Sequence, residues 1–71
     1  MKVVRWRLDK YLDGHGITRY ALSEWTDIPY PTIDNYYKNK VFRIDGINLG
    51  KIIDALGCGI EDLLEVVEVS E

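Results

Sequence analysis

Two short helical patterns separated by a turn rich in proline lie between Thr18 and Lys38 (TRYALSEWTDIPYPTIDNYYK), and they constrain this chain more than any other segment. Leu22 and Thr26 are four apart and share one face of a helix. Ile33 and Tyr36 are three apart on the inner face of the next, and Ile28 fills the turn between them. Ser23 is small where two helices would cross closely, and Asp27 tolerates the left-handed backbone that a sharp turn requires. Thr18 suits an N-cap, which places the first of the pair up to about Thr26. A residue before proline avoids the helical region, so Ile28 and Tyr30 are expected to be extended. Pro31 then fits the first helical position, and the second helix of the pair is expected over residues 31–38. Outward on it stand Tyr30, Asp34, Asn35 and Lys38, all able to hydrogen-bond.

The flanking segments read as further helices. Leu8, Tyr11 and Leu12 form a helical face within residues 5–13, extended by Val4, and Gly14 and Gly16 end it, one of them in a left-handed cap. Val4, Trp6 and Leu8 also alternate, which leaves an extended arm open as the start of the chain. Asp45 caps a fourth helix with a buried stripe of Leu49, Ile52, Ile53 and Leu56, and Gly57 stops it. A fifth is expected over residues 60–67, with Ile60, Leu63, Leu64 and Val67 apolar and Glu61 and Asp62 placed favourably for the helix dipole. Val67 and Val69 around Glu68 would also suit a short edge strand. The expected architecture is an all-α, compact five-helix domain with room for a short extended C-terminal tail. Trp6 and Trp25 are expected to cover the core, and Tyr36 and Tyr37 to pack.

The 71 residues, 46% of them hydrophobic, make one domain over 1–71, and a chain this short buries only about 60% of its extended surface. A partner subunit would thicken so thin a core. The single cysteine rules out an internal disulfide and fits a reducing cytoplasm. Between two glycines, Cys58 reads as a small buried hydrophobe, and lone His15 as a turn residue. No apolar run of about 18 residues suggests membrane insertion. No nucleophile–base pair, zinc spacing or phosphate-cradling glycine loop appears, so neither catalysis, a metal nor a cofactor is expected. The net charge is −3, but residues 1–51 carry +3 (nine Lys and Arg against six acids) and residues 52–71 carry −6. This division suggests a basic face and an acidic rear, able to orient the molecule on a polyanion.

Taken in order, RWRLDKYL, the core at residues 18–38 and RIDGINLGKIIDALGCGIEDLLE resemble the Xre/Cro family of prokaryotic and phage regulators, over nearly the whole chain. The resemblance implies a lambda-repressor-like, helix-turn-helix domain that binds double-stranded DNA with its third helix in the major groove, as a transcriptional regulator and most naturally a repressor. It departs from the family pattern at three positions. Asp27 stands where glycine is usual, Ser23 replaces alanine, and Arg19 replaces a glutamine, becoming mainly a phosphate clamp. The resemblance makes Tyr30, Thr32, Asp34 and Asn35 the expected base-reading set, since asparagine can bond bidentately to adenine and aspartate can accept from cytosine N4. Arg19, Lys38, Lys40 and Arg43, flanking the reading helix, are the expected phosphate set. One short helix reads too little DNA alone, so a homodimer is expected. Its surface would be the fifth helix and Val66, Val67 and Val69, with Trp6 and Ile47 as further candidates. No small-molecule effector is expected. The rival reading is a protein-binding module, such as an antitoxin or adaptor, that docks a basic partner on the acidic C-terminal surface.

Overall fold

The turn between residues 26 and 30 is locked by side chains that the sequence placed there. In the computed structural model, which describes residues 1–41 and 43–70, α2 (Arg19–Thr26) and α3 (Tyr30–Tyr37) form the expected pair. Phe42, in the loop expected at residues 39–43, and Glu71, one of the tail acids, lie outside the described residues. Thr18 caps α2 by accepting from the Ala21 N–H, and Asp27 ends it in the left-handed region at φ 60°. The Ser23 hydroxyl donates to the Ile28 carbonyl at 2.5 Å. The Thr26 hydroxyl donates to the Leu22 carbonyl at 2.7 Å and accepts from the Ile28 N–H. The Ile28 N–H and carbonyl, which the tight turn would strand, are thereby given partners, and the crossing of α2 on α3 is fixed.

α3 begins one residue earlier than expected. Tyr30 is helical although Pro31 follows it, and Pro29 is the N-cap, its carbonyl accepting from Thr32 and Ile33. Pro31 therefore sits at the second helical position, where a missing N–H still costs nothing because the first turn's amides have no partner inside the helix. At the other end Asn39 takes φ 55°, its N–H bonds to the Tyr36 carbonyl, and the Lys40 N–H bonds to that of Asn35. This is a Schellman termination with asparagine in the place glycine usually takes.

α1 (Leu8–His15) ends at Gly16, φ 65°, and α4 (Gly46–Leu56) at Gly57, φ 64°. The Asp45 carboxylate caps α4 by accepting from Ile47 and Asn48 N–H. Leu8, Leu12, Leu22, Ile28, Ile33, Ile52 and Leu63 are sealed from solvent, with Tyr36 and Leu49 almost so. Trp6 joins them, its indole stacked on Tyr36 at 4.4 Å between ring centroids.

The five-helix, all-α expectation is corrected: the structure has four α-helices and a two-stranded antiparallel ribbon. β1 (Lys2–Trp6) occupies what was expected to be the approach and first turn of a helix, and β2 (Leu64–Glu68) replaces most of the fifth helix, of which only a 3₁₀ turn, Ile60–Asp62, forms. The register pairs Lys2 with Glu68, Val4 with Val66 and Trp6 with Leu64. Val3, Val4, Val66 and Val67 are β-branched and lose rotamer freedom in a helix, whereas on paired strands they face one another. The alternation of Val4 with Trp6 and of Val67 with Val69 was thus the better signal. Trp25 is corrected too. It is over half exposed, at the rim of α2 in a shallow depression with Lys51, Asp54 and Ala55, because Leu22 and Thr26 take the inward positions. No helix among the described residues is long and apolar enough to cross a membrane.

Candidate nucleic-acid interface

α3 presents two unlike faces. Ile33 and Tyr36 point into the core, with Tyr37 half-buried beside them, and Pro31, Asn35 and Lys38 follow one another at helical spacing on the opposite side. Three elements hold the helix in this orientation. From α4, the Asn48 amide donates to the Tyr36 hydroxyl at 3.0 Å. The Tyr37 hydroxyl donates to both carboxylate oxygens of Asp13 on α1, at 2.8 and 3.0 Å. From β1, the Trp6 backbone is bonded twice to the Asn39 side chain.

Of the expected base-reading residues, Tyr30 is exposed at the N-terminus of α3, and Thr32 and Asn35 are half-buried along it. Asp34, half-buried at the surface, is engaged by the protein's own cations. One of its carboxylate oxygens accepts from Arg19 Nη1 at 2.5 Å, and the other lies 3.1 Å from Lys38 Nζ, one helical turn along. The Lys38 ammonium first, and then Arg19, hold the Asp34 carboxyl below the ordinary carboxylate value against an opposing contribution from desolvation. The Arg19 guanidinium also lies over the Tyr37 ring, 4.4 Å from its centroid. Arg19 is thus bound along its plane by a carboxylate and across its face by an aromatic ring. Asp13, Tyr37, Arg19, Asp34 and Lys38 form one continuous polar chain from α1 across α2 and α3.

Lys40 and Arg43 are exposed beyond the C-terminal end of α3. The expected phosphate set is therefore divided between two cations tied to Asp34 and two that form no ion pair among the described residues. Residue type and spacing had indicated Asp34 and Arg19 singly. Their contact lay outside that reading, because they are 15 positions apart on different helices.

The ribbon changes the charge distribution expected from the two halves of the sequence. Glu65 pairs with Arg5 and with Lys10, each at 3.2 Å, and the terminal ammonium of Met1 pairs with Glu68 at 3.1 Å. Two acids of the last 20 residues, Glu65 and Glu68, thus lie against cations of the first ten, and the proposed acidic rear is neutralised locally at those two positions. Cys58 is half-buried against the core, and burial, with nearby Asp62, pushes its thiol up from the ordinary value, as befits a packing residue.

Two helices locked at a tight turn, with the second held by its inner face and polar on its outer one, define the helix-turn-helix class of DNA-binding proteins. Residues 7–68 match the family of Cro/C1-type HTH DNA-binding domains, and the chain belongs to that family. It is a DNA-binding regulatory protein and not an enzyme. No curated protein and no solved structure matches it.

Proposed function

We propose that the chain is a sequence-specific transcriptional repressor that lays α3 in the major groove of duplex DNA and acts by occupying its operator in the cytoplasm. The observation that carries this reading is the outward face of α3, where Tyr30, Thr32, Asp34 and Asn35 are flanked by Arg19, Lys38, Lys40 and Arg43. Asn35 is the residue best suited to a bidentate adenine contact, and Lys40 and Arg43 to phosphates. Occupancy alone suffices for repression, so the DNA-binding surface is all the mechanism requires.

A homodimer would give such a short reading helix enough DNA to discriminate. Support for its surface comes from the ribbon, where Val4 and Val66 are opposite one another and exposed beside Ile60 and Leu64. Trp6 drops out of the dimer surface expected from sequence because it is in the core, and Val67 is half-buried. The engagement of Glu65 by Arg5 and Lys10 takes one carboxylate from the acidic surface on which a protein-binding module would have relied.

Selection of bound sequences from random duplex DNA tests the proposal. Asn35→Ala should change the preferred base at one position per half-site, worth about 1–3 kcal/mol of discrimination. Lys40→Ala should weaken all sequences alike and lower the log–log salt slope by about 1 per protomer. Binding that stays flat between low and moderate salt, or an identical preference in the Asn35→Ala variant, would count against α3 as the reader. Transcription from a promoter carrying the selected site should fall when the protein is present.

A further inference from the structure

A carboxylate on a surface that approaches DNA is a liability unless something neutralises it. Asp34 is neutralised twice, by Arg19 from α2 and by Lys38 from its own helix. These are two of the four cations that flank α3, and while they hold Asp34 one of their two charges is cancelled. Pairs as exposed as these add only modestly to stability, so the cluster's larger consequence is to be sought in binding. On approach to DNA the three groups have two options. The cations can stay on the carboxylate, leaving phosphate neutralisation incomplete, or they can turn to phosphate, leaving the carboxylate beside a polyanion. The second is favourable only if another donor replaces them, and in the major groove the exocyclic amino group of cytosine is such a donor.

We infer that Asp34 is a specificity-determining counter-ion: it occupies Arg19 and Lys38 in the unbound protein and releases them to phosphate where a base amino group takes over its carboxylate. This rests on the reading of α3 as the base-reading helix. Discrimination then arises from suppressing binding to wrong sequences as well as from contacts to the right one. Random DNA meets a cluster with a net charge of one, and the cognate site gains both cations. The Tyr37 ring beneath Arg19 keeps the guanidinium at the edge of the interface during the exchange.

The test uses the full chain and two duplexes of equal length, the best sequence selected by the parent and a random-sequence pool. Asp34→Asn keeps the shape of the side chain and removes its charge. It should bind the random pool several-fold more tightly than the parent does, with a salt slope steeper by about 1 to 2 per protomer, and its ratio of selected to random affinity should fall. Lys38→Gln should weaken random-pool binding more in the Asp34→Asn background than in the parent, because only there is the lysine released. Arg19→Gln should behave in the same way, and a cooperative melt qualifies each variant as folded. Random-pool binding by Asp34→Asn that is unchanged or weaker, with Asn35→Ala still shifting base preference, overturns the counter-ion role and leaves the reading of α3 standing. If neither Asn35→Ala nor Asp34→Asn alters base preference or random-pool affinity, the reading of α3 falls and the inference falls with it.

Discussion

The side-chain amide of Asn39 grips the backbone of Trp6 from both sides, with Oδ1 accepting from the Trp6 N–H at 2.9 Å and Nδ2 donating to its carbonyl at 2.7 Å. The two residues are 33 positions apart. Asn39 is the left-handed residue that terminates α3, and Trp6 is the last residue of β1, so the contact joins the end of α3 to the ribbon. The Trp6 ring stacking on Tyr36 reinforces the joint from the apolar side.

Replacing Asn39 separates the two contributions of that residue. Asn39→Gly keeps the backbone conformation and deletes both side-chain bonds, which should cost about 1–3 kcal/mol in a urea titration. Asn39→Ala should cost roughly 1 kcal/mol more, because a Cβ without a compensating polar group is strained at positive φ. Equal losses in the two variants would show that backbone strain is not at issue. No loss in the glycine variant would show that the clamp contributes nothing.

Asp27 sits at φ 60° in the turn before α3, where glycine carries no steric penalty. Its carboxylate caps nothing among the hydrogen bonds of the described residues, so Asp27→Gly should stabilise the domain by roughly 0.5–1 kcal/mol. At about 4–8 °C per kcal/mol for a domain of this size, the melting temperature should rise by a few degrees. A lower melting temperature would mean that the aspartate makes a contribution beyond its backbone tolerance.

Acid should weaken the fold modestly through two carboxyls. Glu65 is held below its ordinary value of 4.5 by Lys10 first and Arg5 second, and Asp34 below 3.8 by Lys38 and Arg19. A carboxyl that titrates lower in the folded chain adds stability in full above its unfolded value, and loses it as pH falls through the folded one. The melting temperature should therefore hold from neutral pH down to about 4.5 and decline below it. Glu65→Gln should flatten the decline while lowering stability at neutral pH. An acid limb identical to the parent's would show that the ribbon's ion pairs do not contribute.

Val66→Lys tests the proposed dimer without touching the core, because Val66 is 62% exposed on the ribbon. The variant should unfold within about 0.5 kcal/mol of the parent, as surface changes usually do. Sedimentation should show the parent associating at micromolar concentration, with the variant monomeric and weaker on a two-half-site duplex. A parent that stays monomeric at high micromolar concentration would remove the ribbon as a subunit contact.

Wherever its signals were local, the sequence by itself determined the helix-turn-helix. Thr18, Asp27, Asp45 and Gly57 act within one turn of their own positions, and the inward spacing of Leu22, Thr26, Ile33 and Tyr36 depends only on helical geometry. Those features placed α2, α3 and α4 to within a residue or two, and through the family resemblance they pointed to DNA. Tertiary structure decided the rest. Residues 64–68 had a helix's apolar spacing and a strand's β-branched content, and the choice fell to a partner about 60 positions away in the sequence, residues 2–6. No local pattern can contain that partner, since pairing exists only once the chain between has closed. Closure also brought two of the C-terminal acids, Glu65 and Glu68, against N-terminal cations, so a charge division that was sharp along the chain is blurred in space. In the same way Arg19 and Asp34, each legible as a DNA-facing residue on its own helix, became each other's partners only when α2 crossed α3.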